Sequence, residues 1–154
     1  MVDLSNKVIG ILGGGQLAQM TINAAHNLDF KVHVFSDSED SIAFHNADFK
    51  TCAEYGDIKA IDSFATSVDI VTYEFENIPS ETVKYLETNH QLSPNANCLA
   101  VCQKRNLEKT FVNNLGIKTA NFAMVETWAE VEAFFNKNGP AILKTNSLGY
   151  DGKG

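Results

Sequence analysis

Apolar residues fall in short runs separated by polar, helix-period stretches. Val8-Ile9-Gly10-Ile11-Leu12 is a strand-length run closed by Gly13-Gly14-Gly15. From Gln16 the period becomes helical, with Leu17, Met20, Ala24 and Leu28 expected along one side. Lys31 to Phe35 reads as a second strand, closed by Ser36-Asp37. A strand, glycine turn, helix and strand within about thirty residues imply a parallel pair joined by a right-handed crossover. The alternation continues: a weak strand at Phe49 to Ala53, a helix over Asp57 to Thr66, a strand from Val68 to Tyr73, and a helix opened by Pro79. This pattern predicts an open α/β sheet with helices on both faces.

The rhythm changes near Ser93-Pro94-Asn95, and a domain boundary is placed at residue 95. Beyond it the pattern predicts one long helix from Ala96 to Leu115, stopped by Gly116. A strand at Asn121 to Val125, a helix from Thr127 to Asn136 with Thr127 as cap, and a strand from Ala141 to Lys144 follow. The last strand runs into a glycine-rich loop where the sequence stops, so residues 96–154 are expected to form an incomplete unit.

Composition narrows the class. With 44% hydrophobic residues the chain can bury a core, and a formal charge of −7 argues against a nucleic-acid surface, which needs clustered Lys and Arg. No apolar run is long enough to span a bilayer, and the N-terminus reads as strand and turn, not as a secretion signal. Cys52, Cys98 and Cys102 form no paired framework and are expected to be free thiols of a reducing cytoplasm. The histidines at 26, 33, 45 and 90 match no catalytic or metal-binding pattern.

Three features could carry chemistry. Gly13-Gly14-Gly15-Gln16-Leu17-Ala18 fits G-x-G-x-x-G/A, with Asp37 about twenty residues on, as a dinucleotide site requires; the same glycines could serve another ligand or only a tight turn. Glu74 and Glu76 flank Phe75 at the carboxyl end of a strand, where open α/β sheets bind ligands. Strand alternation would turn both acids to one face. Lys144 ends an apolar strand five residues before Gly149-Tyr150-Asp151-Gly152-Lys153-Gly154. Lysine and glycine-loop donors together suit nucleotide phosphates, although the spacing is not that of a Walker loop.

Four segments, "GILGGGQLAQM", "DIVTYEFENIP", "QKRNLEKTFVNNLGIKTA" and "ILKTNSLGYDGKG", together resemble the N5-carboxyaminoimidazole ribonucleotide synthetases, ATP-grasp ligases of purine biosynthesis. They come in that family's order across the whole chain. The resemblance implies a Rossmann-like pre-ATP-grasp domain over residues 1–95 and, over 96–154, the start of an ATP-grasp domain cut within its glycine-rich loop. It implies ATP-dependent carboxylation of 5-aminoimidazole ribonucleotide with bicarbonate, in the cytoplasm, by a homodimer when full length. By motif match, Arg105 and Lys144 would meet the ATP phosphates. Gly149, Tyr150, Asp151, Gly152, Lys153 and Gly154 would cover them, with Tyr150, Asp151 and Lys153 also facing the substrate. Gly15, Gln16 and Glu76 would help form the aminoimidazole ribonucleotide pocket between domains. The Mg²⁺ ligands would lie beyond Gly154, so the 154-residue chain is expected to be inactive by itself. The family often has Gln-Asp-Arg where this chain has Gln103-Lys104-Arg105, and an apolar residue where it has Asn106. Two other readings are another ATP-grasp carboxylate-amine ligase and a non-catalytic dinucleotide-binding module.

Overall fold

The structure, a computed structural model, describes residues 7–149. The chain divides into two compact units, residues 1–99 and 100–154. The first contains β1 (Val8–Leu12), α1 (Gln16–His26), β2 (Lys31–Ser36), a 3-10 turn (Ile42–His45), β3 (Phe49–Cys52), α2 (Ile58–Thr66), β4 (Ile70–Tyr73) and α3 (Ser80–Asn89). Its four strands are all parallel, in the order β3-β2-β1-β4, so the glycine-ended β1 is an interior strand.

The apolar strands bury both faces of the sheet. On one side Ile11, Val32 and Val34 pack with Ala18, Ile22 and Ala25 of α1 and with Ala43. On the other, Leu12, Phe35 and Val71 pack with Ile61 and Phe64 of α2 and with Val83 and Leu86 of α3. The expected three-layer α/β architecture is therefore present. The expected inner side of α1 is not: Leu17, Met20 and Leu28 are at least 60% exposed, and Ala24 is exposed as well. Ala18, Ile22 and Ala25 share a helical row of their own, and two of these three carry only a methyl group, so α1 can lie close to the sheet.

Caps fix the helix ends. Asp57 accepts the N–H groups of Lys59 and Ala60 at the start of α2, and α3 begins directly after Pro79. Gly10, mid-strand in β1, makes room for Phe64 of α2 and for Val68, two residues past that helix. A Cβ there would lie 2.8 Å from Phe64 and 2.9 Å from Val68.

Carboxylates tie the edges of this unit. Asp69 accepts from the Lys7 ammonium at 2.6 Å and from the Val8 N–H at 2.8 Å, which hold its carboxyl below its ordinary value. Asp62 accepts from Tyr85 at 2.7 Å and His90 at 2.9 Å, and is lowered by Tyr85 first and His90 second. A carboxyl depressed by folding stabilises the fold above its unfolded value of about 4, and that contribution is lost as pH falls through the lower folded value. Thermal melts are accordingly expected to fall below about pH 4, and Asp62→Asn with Asp69→Asn should make that fall shallower. An unchanged acid limb in the double variant would contradict this.

α4 (Ala96–Cys102) spans the boundary between the units. The second unit holds α5 (Arg105–Asn114) and α6 (Trp128–Asn138). The single long helix expected over 96–115 is broken at Gln103-Lys104. α6 starts as expected: Thr127 accepts the Glu130 N–H, and Glu130 reaches back to the Thr127 N–H in a capping box. Residues 121–125 and 141–144, expected as strands, form no ladder. A strand exists only through a neighbour's hydrogen bonds, and none lies beside them among the described residues. No residue from 100 to 149 is buried as a whole; Ile142 is 82% exposed.

Candidate functional site

Parallel strands bring their carboxyl ends to one edge of the sheet, and the first unit's polar residues gather there. Beyond the β1–β4 ladder, Glu74 N–H donates to the Leu12 carbonyl at 3.1 Å, while Gly13 N–H donates to Phe35 at 2.9 Å. These bonds place the Gly13–Gly15 turn between the ends of β2 and β4. Gln16 opens α1 beside it and is exposed.

The glycines are close-approach positions. Gly13 has φ +118°, and a Cβ there would lie 2.6 Å from Glu74 Oε1. At Gly14 a Cβ would lie 2.4 Å from Ser41 Oγ and 2.8 Å from Ser36 Oγ, two buried hydroxyls hydrogen-bonded to each other at 2.6 Å. Gly15 N–H donates to Glu74 Oε1 at 3.0 Å. The first turn of α1 has no acid of its own, so a carboxylate from the end of β4 occupies the amino end of the helix, where negative charge is favoured.

This arrangement counts against the dinucleotide reading. A pyrophosphate would need the glycine turn that Glu74 already fills with negative charge. Asp37 lies exposed just past β2. The two acids also separate: residues 74–77 leave the strand in a turn, with Glu74 half-buried against Gly15 and Glu76 exposed.

Ser36, Ser41 and Tyr55 are members of this edge that sequence reasoning did not place there, beside the Glu74 and Phe75 that it did. Tyr55 stacks on Phe75 with ring centroids 5.5 Å apart. Burial, helped by the charges of Asp37 and Glu74, pushes its hydroxyl up to about 12, so it remains a protonated donor. Partial burial and the charges of Glu39, Asp37 and Glu54 push the Cys52 thiol up, which makes it a poor nucleophile.

In the second unit the structure brings Arg105 to the glycine-loop approach. The Arg105 guanidinium donates to the Gly149 carbonyl at 2.5 Å, and its backbone N–H donates to Asn146 O at 2.9 Å. Lys144 is exposed. Tyr150, Asp151, Gly152, Lys153 and Gly154 lie outside the described residues. Among the described residues no group of three or more His, Cys, Asp or Glu side chains could hold a metal ion, and no helix is long and apolar enough to cross a membrane.

Comparison with known proteins gives one consistent result. Residues 6–103 match the model of the ribonucleotide synthetase preATP-grasp domain. The chain is 49% identical over 147 residues to a bifunctional purine synthesis protein of Dictyostelium discoideum, covering 95% of this chain and 15% of that one. It is 40% identical over 147 residues to the N5-carboxyaminoimidazole ribonucleotide synthase of Pseudomonas aeruginosa, covering 95% of this chain and 41% of that protein. The crystal structure of the Staphylococcus aureus N5-carboxyaminoimidazole synthetase complexed with ADP is similar at a TM-score of 0.88 and 34% identity, over 96% of this chain and 40% of that one. The chain thus spans well under half the length of these relatives.

Proposed function

Since the chain belongs to the ribonucleotide synthetase preATP-grasp domain family, we propose that it supplies the N-terminal part of an ATP-dependent ligase that carboxylates 5-aminoimidazole ribonucleotide in purine biosynthesis. In the proposed reaction a bicarbonate oxygen takes the γ-phosphoryl group of ATP, giving carboxyphosphate and ADP. The exocyclic amine of the ribonucleotide then attacks the carboxyl carbon, phosphate leaves, and the nitrogen loses a proton. Charge on the transferred phosphoryl group needs cationic partners. Arg105 and Lys144 take that role in this reading, with Gly149 to Gly154 as cover and Tyr150, Asp151 and Lys153 toward the substrate. Gly15, Gln16 and Glu76 hold the ribonucleotide. Mg²⁺ enters only as the companion of ATP, and no step is assigned through it. A cytoplasmic homodimer and the domain limits 1–95 and 96–154 belong to the same reading.

The observation that carries it is the match of residues 6–103 to that domain family, together with 40% identity over 147 residues to the Pseudomonas aeruginosa N5-carboxyaminoimidazole ribonucleotide synthase. Beside it, Glu74 already takes the Gly15 N–H at the amino end of α1, so a pyrophosphate would have to displace that carboxylate from the glycine turn. The test is titration of the 154-residue chain with 5-aminoimidazole ribonucleotide, NAD⁺ or glycinamide ribonucleotide, read by amide NMR. The first should shift the signals of Gly15, Gln16 and Glu76. Saturable shifts with NAD⁺ and none with the aminoimidazole would defeat the proposal. A response to glycinamide ribonucleotide alone would move the chain to another carboxylate-amine ligase.

A further inference from the structure

Helix α5 begins without a local cap. Its first N–H groups have no partner within the helix, and the residue before it, Lys104, makes no side-chain cap. Both needs are met from forty residues away: Arg105 N–H donates to Asn146 O at 2.9 Å, and Asn106 N–H to Asn146 Oδ1 at 3.0 Å. Three residues further on, the Gly149 carbonyl accepts from the Arg105 guanidinium. The segment Asn146–Gly149 is therefore fastened at both ends to the first two residues of α5. The place is half-buried, and the Asn106 Oδ1 atom within it is buried with no partner among the described residues.

We infer that Asn146 is a positioning residue: a neutral cap, supplied from a distant loop, that sets Arg105 and the glycine-loop approach in register without adding negative charge. This rests on the nucleotide reading above for its purpose, though not for its geometry. Asp caps a helix as well as Asn does, and the helix dipole would favour it. Here, however, Arg105 is bonded to the capping residue and Lys144 stands two positions before it. A carboxylate at 146 would neutralise part of the positive charge that a phosphate must meet, whereas the amide leaves it available.

The test uses Asn146→Ala, Asn146→Asp and Asn146→Ser, reading amide exchange at Asn106 in the 154-residue chain and the affinity for ADP once the chain is joined to the part of the Pseudomonas relative that it does not cover. Losing the cap in Asn146→Ala should speed Asn106 exchange about three- to tenfold. Asn146→Ser, which restores a capping oxygen, should recover most of that protection. Asn146→Asp should keep the protection yet weaken ADP at least about threefold, a split that a purely structural role would not produce. Unchanged Asn106 exchange in Asn146→Ala overturns the cap. ADP binding by Asn146→Asp equal to or tighter than that of the parent chain overturns the charge argument. If Asn106 exchange speeds in Asn146→Ala while the joined parent protein takes up no ADP at all, the cap stands and the nucleotide reading falls.

Discussion

Gly13→Ala is expected to destabilise the N-terminal unit by about 2–5 kcal/mol. Gly13 sits at φ +118°, which an L-residue adopts only at a cost of about 1–3 kcal/mol. The added methyl would also lie 2.6 Å from Glu74 Oε1 and 2.9 Å from Glu74 Cγ, forcing that side chain off the turn. Its hydrogen bond from Gly15 would then be lost, worth about 1.5–3 kcal/mol for a charged acceptor and less where water can replace it. Gly15→Ala provides the control. Its φ is −84°, and a Cβ there meets Glu74 Oε1 at 3.4 Å, an ordinary contact. Urea unfolding should place that variant within about 1 kcal/mol of the parent chain. Equal losses in the two variants would show that neither the backbone angle nor Glu74 sets the requirement.

Lys144→Ala should reduce ATP use about ten- to a hundredfold once the chain is joined to the part of the Pseudomonas relative that it does not cover. A charge-assisted phosphate contact is typically worth about 1.5–3 kcal/mol. The folded chain should hardly register the change, since Lys144 is exposed. The measurement is ATP dependence of turnover beside a thermal melt. A normal ATP dependence would remove Lys144 from the phosphate site, and a large drop in melting temperature would mean that the loss came from folding.

The first unit was legible because its signals are local. The run Val8 to Leu12, its glycine stop and the helix period after it define the strand, turn and helix without reference to distant residues. Where two local signals compete, the sequence does not choose: residues 17, 20, 24 and 28 form one helical row and 18, 22 and 25 another. The smaller side chains face the sheet because they permit closer approach. What sequence reasoning missed is non-local. Nothing near Gly15 announces that its N–H meets an acid 59 positions away. Nothing at Gln103-Lys104 announces a helix break, since no glycine or proline stands there. The break coincides with the acceptors that Asn146 brings to the start of α5. The strands expected at 121–125 and 141–144 have suitable residues and lack neighbours, which is information about other parts of a sheet and not about those segments.

The bond between Gly15 and Glu74 also bears on the order in which the molecule is made. β1, α1 and β2 are consecutive in the chain and can associate as soon as they exist, because short loop closures are entropically mild. The acid that completes the amino end of α1 arrives only with the end of β4. During synthesis from the N-terminus, the glycine turn must wait in an open state until residue 74 has emerged and β4 has docked against β1. That edge is then completed only when β4 docks, although its glycines leave the ribosome well before residue 74 does.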